Sequence, residues 1–226
     1  MRKHDIVYIL KKDAKPDELR FSLRSIEANL PHRNVVFYCG KPEGIEPDRH
    51  VPHKQSGYLK WERARSSMIA ICKDDKLTKQ IWLFNDDFYV LRPMTSTKPL
   101  HRGQLRDHYK AIRAKRGGMS TEYSRQLECC EALLKKARLT TYDYALHVPI
   151  LIDRAKMLEA LQAFPRTPMF RSVYGNFANI GGDLSPDYKT DTIDKEAPFF
   201  STSDKTFAQN KEALGELFPT PSKYER

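Results

Sequence analysis

The sequence predicts an α/β fold in which a mostly parallel central sheet is flanked by helices and carries a basic helical insertion. Three observations predict it. Between Asp5 and Leu91, short runs rich in β-branched and aromatic residues alternate with stretches of helical periodicity. The order strand, helix, strand, helix, strand suits right-handed crossovers between parallel strands. After Pro93 the composition shifts to basic, helix-forming sequence, so an insertion is expected at about 98–140 within a single domain of residues 1–226. No tandem repeat interrupts this pattern.

Asp5-Ile-Val-Tyr-Ile-Leu10 reads as a buried first strand that ends in charged residues. Asp13, Pro16 and Asp17 then open a helix, since proline and acids are favoured in a first turn. Leu19, Leu23, Ile26 and Leu30 recur at four, three and four residues, lining one face, and Pro31 stops the helix. Asn34 to Cys39 forms a second strand, closed by Gly40 and followed by a loop through Gly57. Lys60 to Cys72 predicts a helix with Trp61, Ala64, Met68 and Ile71 on one stripe. Ile81 to Phe84 is the third strand. Helices are expected at 104–116 and 121–138, separated by Gly117-Gly118, then extended sequence through Ile152, a helix from about Asp153 to Phe164, and a closing helix from Gln209 to Leu217.

Lys and Arg number 39 against 29 Asp and Glu, a net charge of +10. Residues 98–138 hold 11 basic and 4 acidic side chains, so an anionic partner or a solvated helix surface is expected there. The basic start, Met1 to His4, is followed by too short an apolar run for a signal peptide, and no segment approaches the ~18 apolar residues of a spanning helix. A cytoplasmic protein, or one peripheral at an anionic membrane surface, is expected. Cys39, Cys72, Cys129 and Cys130 lack metal-site or disulfide spacing and read as reduced thiols.

The chemistry centres on Asn85-Asp86-Asp87, delivered by the third strand at its carboxyl end, where open α/β sheets place ligands. On extended backbone Asn85 and Asp87 would share a side while Asp86 points away. Two oxygen ligands so placed suit Mn or Mg, which in turn would clamp the phosphates of a nucleotide diphosphate sugar. Acids after a strand also serve as turn residues, but these lie between Trp82-Leu-Phe84 and Phe88-Tyr-Val-Leu91, where unmatched charge is costly. His147, set by Pro149 in extended backbone, is a metal ligand, a proton carrier, a phosphate donor or a structural histidine. Arg171 to Asn176 reads as a loop presenting a phosphate-binding guanidinium, with an ordinary ion pair as the alternative. Asp204, with Asp183, is a late acid able to take an acceptor's proton, or else caps the helix that follows.

Glu18-Leu-Arg-Phe-Ser-Leu-Arg-Ser-Ile26, Ile81-Trp-Leu-Phe-Asn-Asp-Asp-Phe88 and His147-Val-Pro149 resemble, in that order, motifs of the Stealth-type sugar-phosphate transferases. With Arg171-Ser-Val-Tyr-Gly-Asn176 added, the chain looks closer to small bacterial and phage glycosyltransferases of GT-A fold. The first strand runs into Lys11-Lys12-Asp13 where Stealth members carry a Trp-Val-Asp-Gly type segment, which favours plain glycosyl transfer. The resemblance implies a GT-A-like, Rossmann-like sheet with Asp86 and Asp87 in the metal and donor site and His147 as a ligand or catalytic group; joined to the reading of the residues, the expected metal set is Asn85, Asp87 and His147, and the expected catalytic residues are Asp87, His147 and Asp204. It implies donor contacts at Arg24, Asn85, Asp86, Arg171 and Asn176, to which Tyr8 of the first strand is added. The expected acceptor is a glycan or lipid-linked glycan precursor. Alternatives are a DNA-modifying glycosyltransferase holding DNA through 98–138, a Stealth-like sugar-phosphate transferase, and a non-catalytic nucleic-acid-binding module.

Overall fold

The computed structural model describes residues 3–226; Met1 and Arg2 of the basic start lie outside them. The central sheet contains β1 (His4–Leu10), β2 (His32–Cys39), β3 (Arg49–Val51), β4 (Gln80–Phe84) and a strand near residue 150, here β7 (Ile150–Asp153). Their order across the sheet is β3-β2-β1-β4-β7, with the first four parallel and β7 antiparallel to β4. The fold is thus a mixed α/β one with a mostly parallel sheet.

Both faces of this sheet are covered, which is why its strands read as nearly continuous apolar runs. On one face Ile6, Tyr8, Val35, Phe37, Trp82 and Phe84 pack against Leu19, Leu23, Ile26 and Leu30 of α1 (Pro16–Asn29) and the residue after it. Burial of each such aliphatic side chain contributes about 1.5–3 kcal/mol before entropy is counted. The opposite face carries Val7, Val36, Ile81, Leu83, Ile150 and Ile152, covered by α2 (Lys60–Lys73) and by α5 (Arg154–Ala163). Arg154 locks this side, donating from its guanidinium to the carbonyls of Cys72, Asp74, Leu77 and Thr78 at 2.7–3.0 Å.

After β4 the chain leaves the sheet. β5 (Phe88–Val90) pairs antiparallel with β9 (Phe199–Ser201), and short β6 (Leu100–His101) pairs with β8 (Asp183–Leu184). Between them lie α3 (Leu105–Ala114) and α4 (Glu122–Lys136), close to the helices expected from sequence, with Gly117 and Gly118 exposed at positive φ in the connection. Leu105, Tyr109, Leu127, Cys130 and Leu134 join the same apolar cluster as the sheet face, so the insertion is anchored in the main core. The final helix, α7 (Asp204–Leu217), starts five residues earlier than its apolar pattern suggests because Ser203 caps it, accepting from the Thr206 amide.

Two expectations fail here. Residues 171–176, read as a loop, belong to α6 (Phe170–Phe177). Gly175 is there for contact rather than for a turn: a Cβ at this position would sit 2.3 Å from the Tyr144 ring. The loop expected from Gly40 to Gly57 contains β3, too short and too polar to show a strand pattern. All four cysteines are free thiols, and among the described residues no helix is long and apolar enough to cross a membrane.

Candidate functional site

β1 lies between β2 and β4, so the strand order reverses beside it, and ligands of open α/β sheets bind outside the carboxyl ends at such a point. Lys11 follows β1 there and Asn85-Asp86-Asp87 follows β4. Gly40 keeps the neighbouring strand end close, since a Cβ on it would fall 1.8 Å from the Lys11 carbonyl oxygen. β7 contributes through its direction. Because it runs antiparallel, with Leu83 opposite Ile150, the residues that precede it, His147 to Pro149, arrive at the same end of the sheet.

The strand does not extend through the acidic motif, so the alternating placement of Asn85 and Asp87 is corrected. β4 ends at Phe84, and Asn85 to Phe88 form a turn in which the Phe88 amide donates to the Asn85 carbonyl at 3.3 Å. The chain must leave one sheet for another here, and Asn and Asp favour turns. Asn85 is exposed, while Asp86 and Asp87 are partly buried. α1 rivets this turn in place: the Ser22 hydroxyl donates to the Phe88 carbonyl at 2.6 Å, the Ser25 hydroxyl accepts from the Val90 amide at 3.0 Å, and the Asn29 amide group donates to the Val90 carbonyl at 2.7 Å.

Around the turn four carboxylates from three segments act on one another. Burial pushes the Asp86 carboxyl above the ordinary range, Asp87 adds to this, Lys11 opposes it, and Asp204 raises it further. Glu18, in the first turn of α1, is raised by burial against a hydrogen bond from the Thr202 hydroxyl at 2.8 Å, and then by Asp86, Asp87 and Asp204. Asp87 Oδ2 accepts from Lys189 Nζ at 3.1 Å, whereas its Oδ1 is buried without a protein partner. Asp204 therefore belongs to this acid centre from the first turn of α7, and Ser203, not Asp204, is the cap.

A second polar centre adjoins it. The His147 ring donates from Nδ1 to Asp187 Oδ2 at 2.8 Å, and its backbone amide donates to Asp187 Oδ1 at 3.0 Å. Asp187 is also held by Arg102. Arg102 donates to His108 Nε2 at 2.8 Å, which leaves the His108 proton on Nδ1 to reach Asp143 Oδ2 at 2.6 Å. Asp143 further accepts from the Ser172 hydroxyl and the Ala145 amide. Burial alone would raise Asp187, but the hydrogen bonds from the His147 ring and amide, with Arg102, hold it far below the carboxylate range. Asp143 is held low in the same way by His108. The His147 ring lies edge-on to Phe88, 6.4 Å between centroids, so the two centres share a wall.

Sequence reasoning missed Glu18, Lys11, Lys189, Asp187 and Arg102. Glu18 and Lys11 had a readable signal, since both sit where the first strand and helix meet at the ligand end of the sheet. Nothing local marks Asp187 or Lys189, which lie on an irregular segment about one hundred residues from Asp87.

Several expected donor contacts are placed elsewhere. Tyr8 is fully buried, its hydroxyl 2.8 Å from Ser22 Oγ, and burial pushes its ionisation well above the usual range, so it supports the turn from within the core. Arg24 grips Glu225 through two hydrogen bonds of 2.8 and 2.6 Å and the Phe218 carbonyl at 3.1 Å. Asn176 is buried, and its amide ties α6 to Thr140 and Tyr142. Both are fold clamps, because residues distant in sequence engage their side chains. Asp183 pairs with Lys98 at 2.6 Å rather than joining the acid centre. Arg171 donates to the Val148 carbonyl at 2.6 Å, its guanidinium stands 5.9 Å from the Phe88 ring centroid, and burial lowers its ionisation to about 10 against the pull of Asp143 and Asp187. Among the described residues no three His, Cys, Asp or Glu converge as a metal cage, and His147 has its Nδ1 committed to Asp187. In the basic insertion Arg113 and Lys135 are neutralised by Glu128 and Glu131.

No protein-family model matches the chain, and no curated protein matches it. Among the solved structures similar to the chain are two of LgtC. One is an active-site mutant of LgtC, at 11% identity and a TM-score of 0.46 over 94% of each chain. The other is the galactosyltransferase LgtC in complex with donor and acceptor sugar analogs, at 10% identity and a TM-score of 0.38, covering 97% of this chain and 96% of that one. These likenesses are distant, and the functional reading rests on the site's own geometry.

Proposed function

We propose that the protein is a glycosyltransferase that moves a sugar from a nucleotide diphosphate donor to a hydroxyl acceptor, with Mn or Mg held at the acid centre. The observation that carries this reading is the unmatched negative charge at the switch point: Asp86 and Asp87, with one Asp87 oxygen buried and unpartnered, beside Glu18 and Asp204. Carboxylates that burial forces toward protonation are stabilised by a cation, and hard divalent ions use one or two carboxylates plus donor phosphates rather than a complete protein cage. The residues therefore fit such an ion, with Asp87 as the main ligand and Asp86 beside it. When bound, the ion offsets charge on the departing nucleotide diphosphate.

The chain's own groups supply the remainder. Lys11 and Lys189, at the ends of β1 and of the segment before β9, supply positive charge for phosphate oxygens. With Nδ1–H committed to Asp187, the His147 Nε2 carries the lone pair, and the ring is oriented to accept a proton from an acceptor hydroxyl. Arg171, fixed between Phe88 and the Val148 carbonyl, supports the wall on which His147 rests. The acceptor proposed is a glycan or lipid-linked glycan precursor.

The test is a thermal-shift panel of uridine, guanosine, cytidine and thymidine diphosphate sugars, each with and without Mn. A site ligand at 100 times its Kd stabilises by about 2.7 kcal/mol. A rise in Tm for one donor, larger with Mn and absent in Asp87→Ala, supports the reading; no rise for any donor refutes it.

A further inference from the structure

A cavity of about 280 Å³ lies on the face of the sheet that carries Trp82, between the β7 edge and the segment from Arg92 to Leu100. Its floor is apolar, formed by Trp82, Val148, Leu151 and Phe199 with Met94 and Leu100. The volume sits just below the range of small-molecule pockets, about 300–1,000 Å³, and suits a compact, ring-sized body.

The wall is incomplete in its polar groups. Trp82 is 3% exposed and its indole N–H has no acceptor; the Arg171 Nε–H also has none. Both donors lie beneath the cavity lining without a protein partner, and the guanidinium to which one of them belongs borders the cavity. The charge points the same way. Of the three cations in the wall, Arg92 is paired with Glu196 and Lys98 with Asp183, whereas Arg171 makes no ion pair among the described residues. We propose that this cavity is a binding site for a compact apolar molecule carrying an oxyanion, the ring or branched body lying on Trp82, Leu151 and Phe199 and the oxyanion facing Arg171. Such binding requires no nucleotide donor and is independent of sugar transfer.

The experiment uses 8-anilinonaphthalene-1-sulfonate as the oxyanion probe and N-phenyl-1-naphthylamine, the same ring system without the sulfonate, as its neutral counterpart. The chain has two tryptophans, so in Trp61→Phe the only one left is Trp82. Excitation of Trp82 is expected to transfer to the bound sulfonate probe with saturation, and the sulfonate to bind at least about tenfold tighter than the neutral probe. Arg171→Met is expected to remove that preference. Leu151→Phe, which fills the cavity, is expected to abolish binding of both probes while far-UV circular dichroism and cooperative melting persist. Absence of saturable transfer from Trp82, equal binding of the two probes, or undiminished binding in a folded Leu151→Phe chain overturns the proposal. Should Leu151→Phe not fold, the Arg171→Met comparison decides.

Discussion

The acid centre and the histidine centre stand side by side, joined by the segment from Ser185 to Lys189, yet they meet their charges in opposite ways. Around Asp187 each carboxylate has its partners: His147, Arg102, His108, Asp143 and Ser172 form a continuous chain of hydrogen bonds in which only the Arg102 Nε–H is unmatched. Around Asp87 four carboxylates face Lys11 and Lys189, and one oxygen is left over. A satisfied buried network specifies geometry, whereas an unsatisfied one favours a ligand. Proximity to the sheet's carboxyl end therefore does not by itself define the reactive spot. The balance of partners separates the group that binds from the group that positions.

This contrast can be broken by substitution. The largest effect is expected for Asp87→Ala, which should lower transfer by about a thousandfold and abolish the Mn-dependent rise in Tm, while leaving the ligand-free Tm unchanged or higher. Steady-state kinetics and melting in chelator check both halves, and a fall in ligand-free stability would place Asp87 in the satisfied class instead. Next is Asp187→Ala, which leaves Arg102 and His147 without their acceptor. Stability should fall by about 2–3 kcal/mol in urea titrations. Turnover should fall by about a hundredfold with KM little changed, since His147 loses its orientation.

A smaller effect separates the centres by pH. The folded-state values of Asp143 and Asp187 are depressed, so their contribution is complete above the ordinary carboxylate range, about pH 4, and is lost as pH falls through and below it. The folded-state values of Asp86 and Glu18 are raised, so their ionisation costs stability at neutral pH and that cost is relieved as pH falls toward the same range. Tm should therefore hold level or rise slightly from neutrality toward about pH 5, then drop steeply. Asp86→Asn should reduce the rise and leave that part of the profile flatter, and Asp187→Asn should soften the drop. The smallest effect is Tyr8→Phe, expected to cost about 1 kcal/mol by unfolding titration and to leave donor affinity within about twofold, because Tyr8 supports the turn from the core.

Much of the fold was legible because periodicity reports burial directly. Leu19, Leu23, Ile26 and Leu30 lie buried on the face their spacing names, and the strands before Lys11 and Asn85 are apolar because both sheet faces are covered. The acid turn was legible as a place, since its charges stand between apolar strands. Its conformation was not, because extended backbone and a turn share the same residues there. Arg24 and Asn176 carry chemistry-bearing side chains whose partners, Glu225 and Tyr142, are fixed only by tertiary packing. Asp187 was hidden for the same reason.

The antiparallel pairing of β4 with β7 also has a use in dissecting the protein. Lys11, Glu18, Asp86 and Asp87 come from sequence before residue 88, and His147, Asp187, Lys189 and Asp204 from sequence after residue 146. Between the two sets lies Gly117-Gly118, exposed and at positive φ, where a Cβ on either glycine would meet no atom within 4 Å. A chain cut there leaves two fragments, neither with a whole site, that meet along the β4–β7 ladder and across the α3–α4 face. Donor binding would then serve as a complementation signal, restored only when the two halves are mixed.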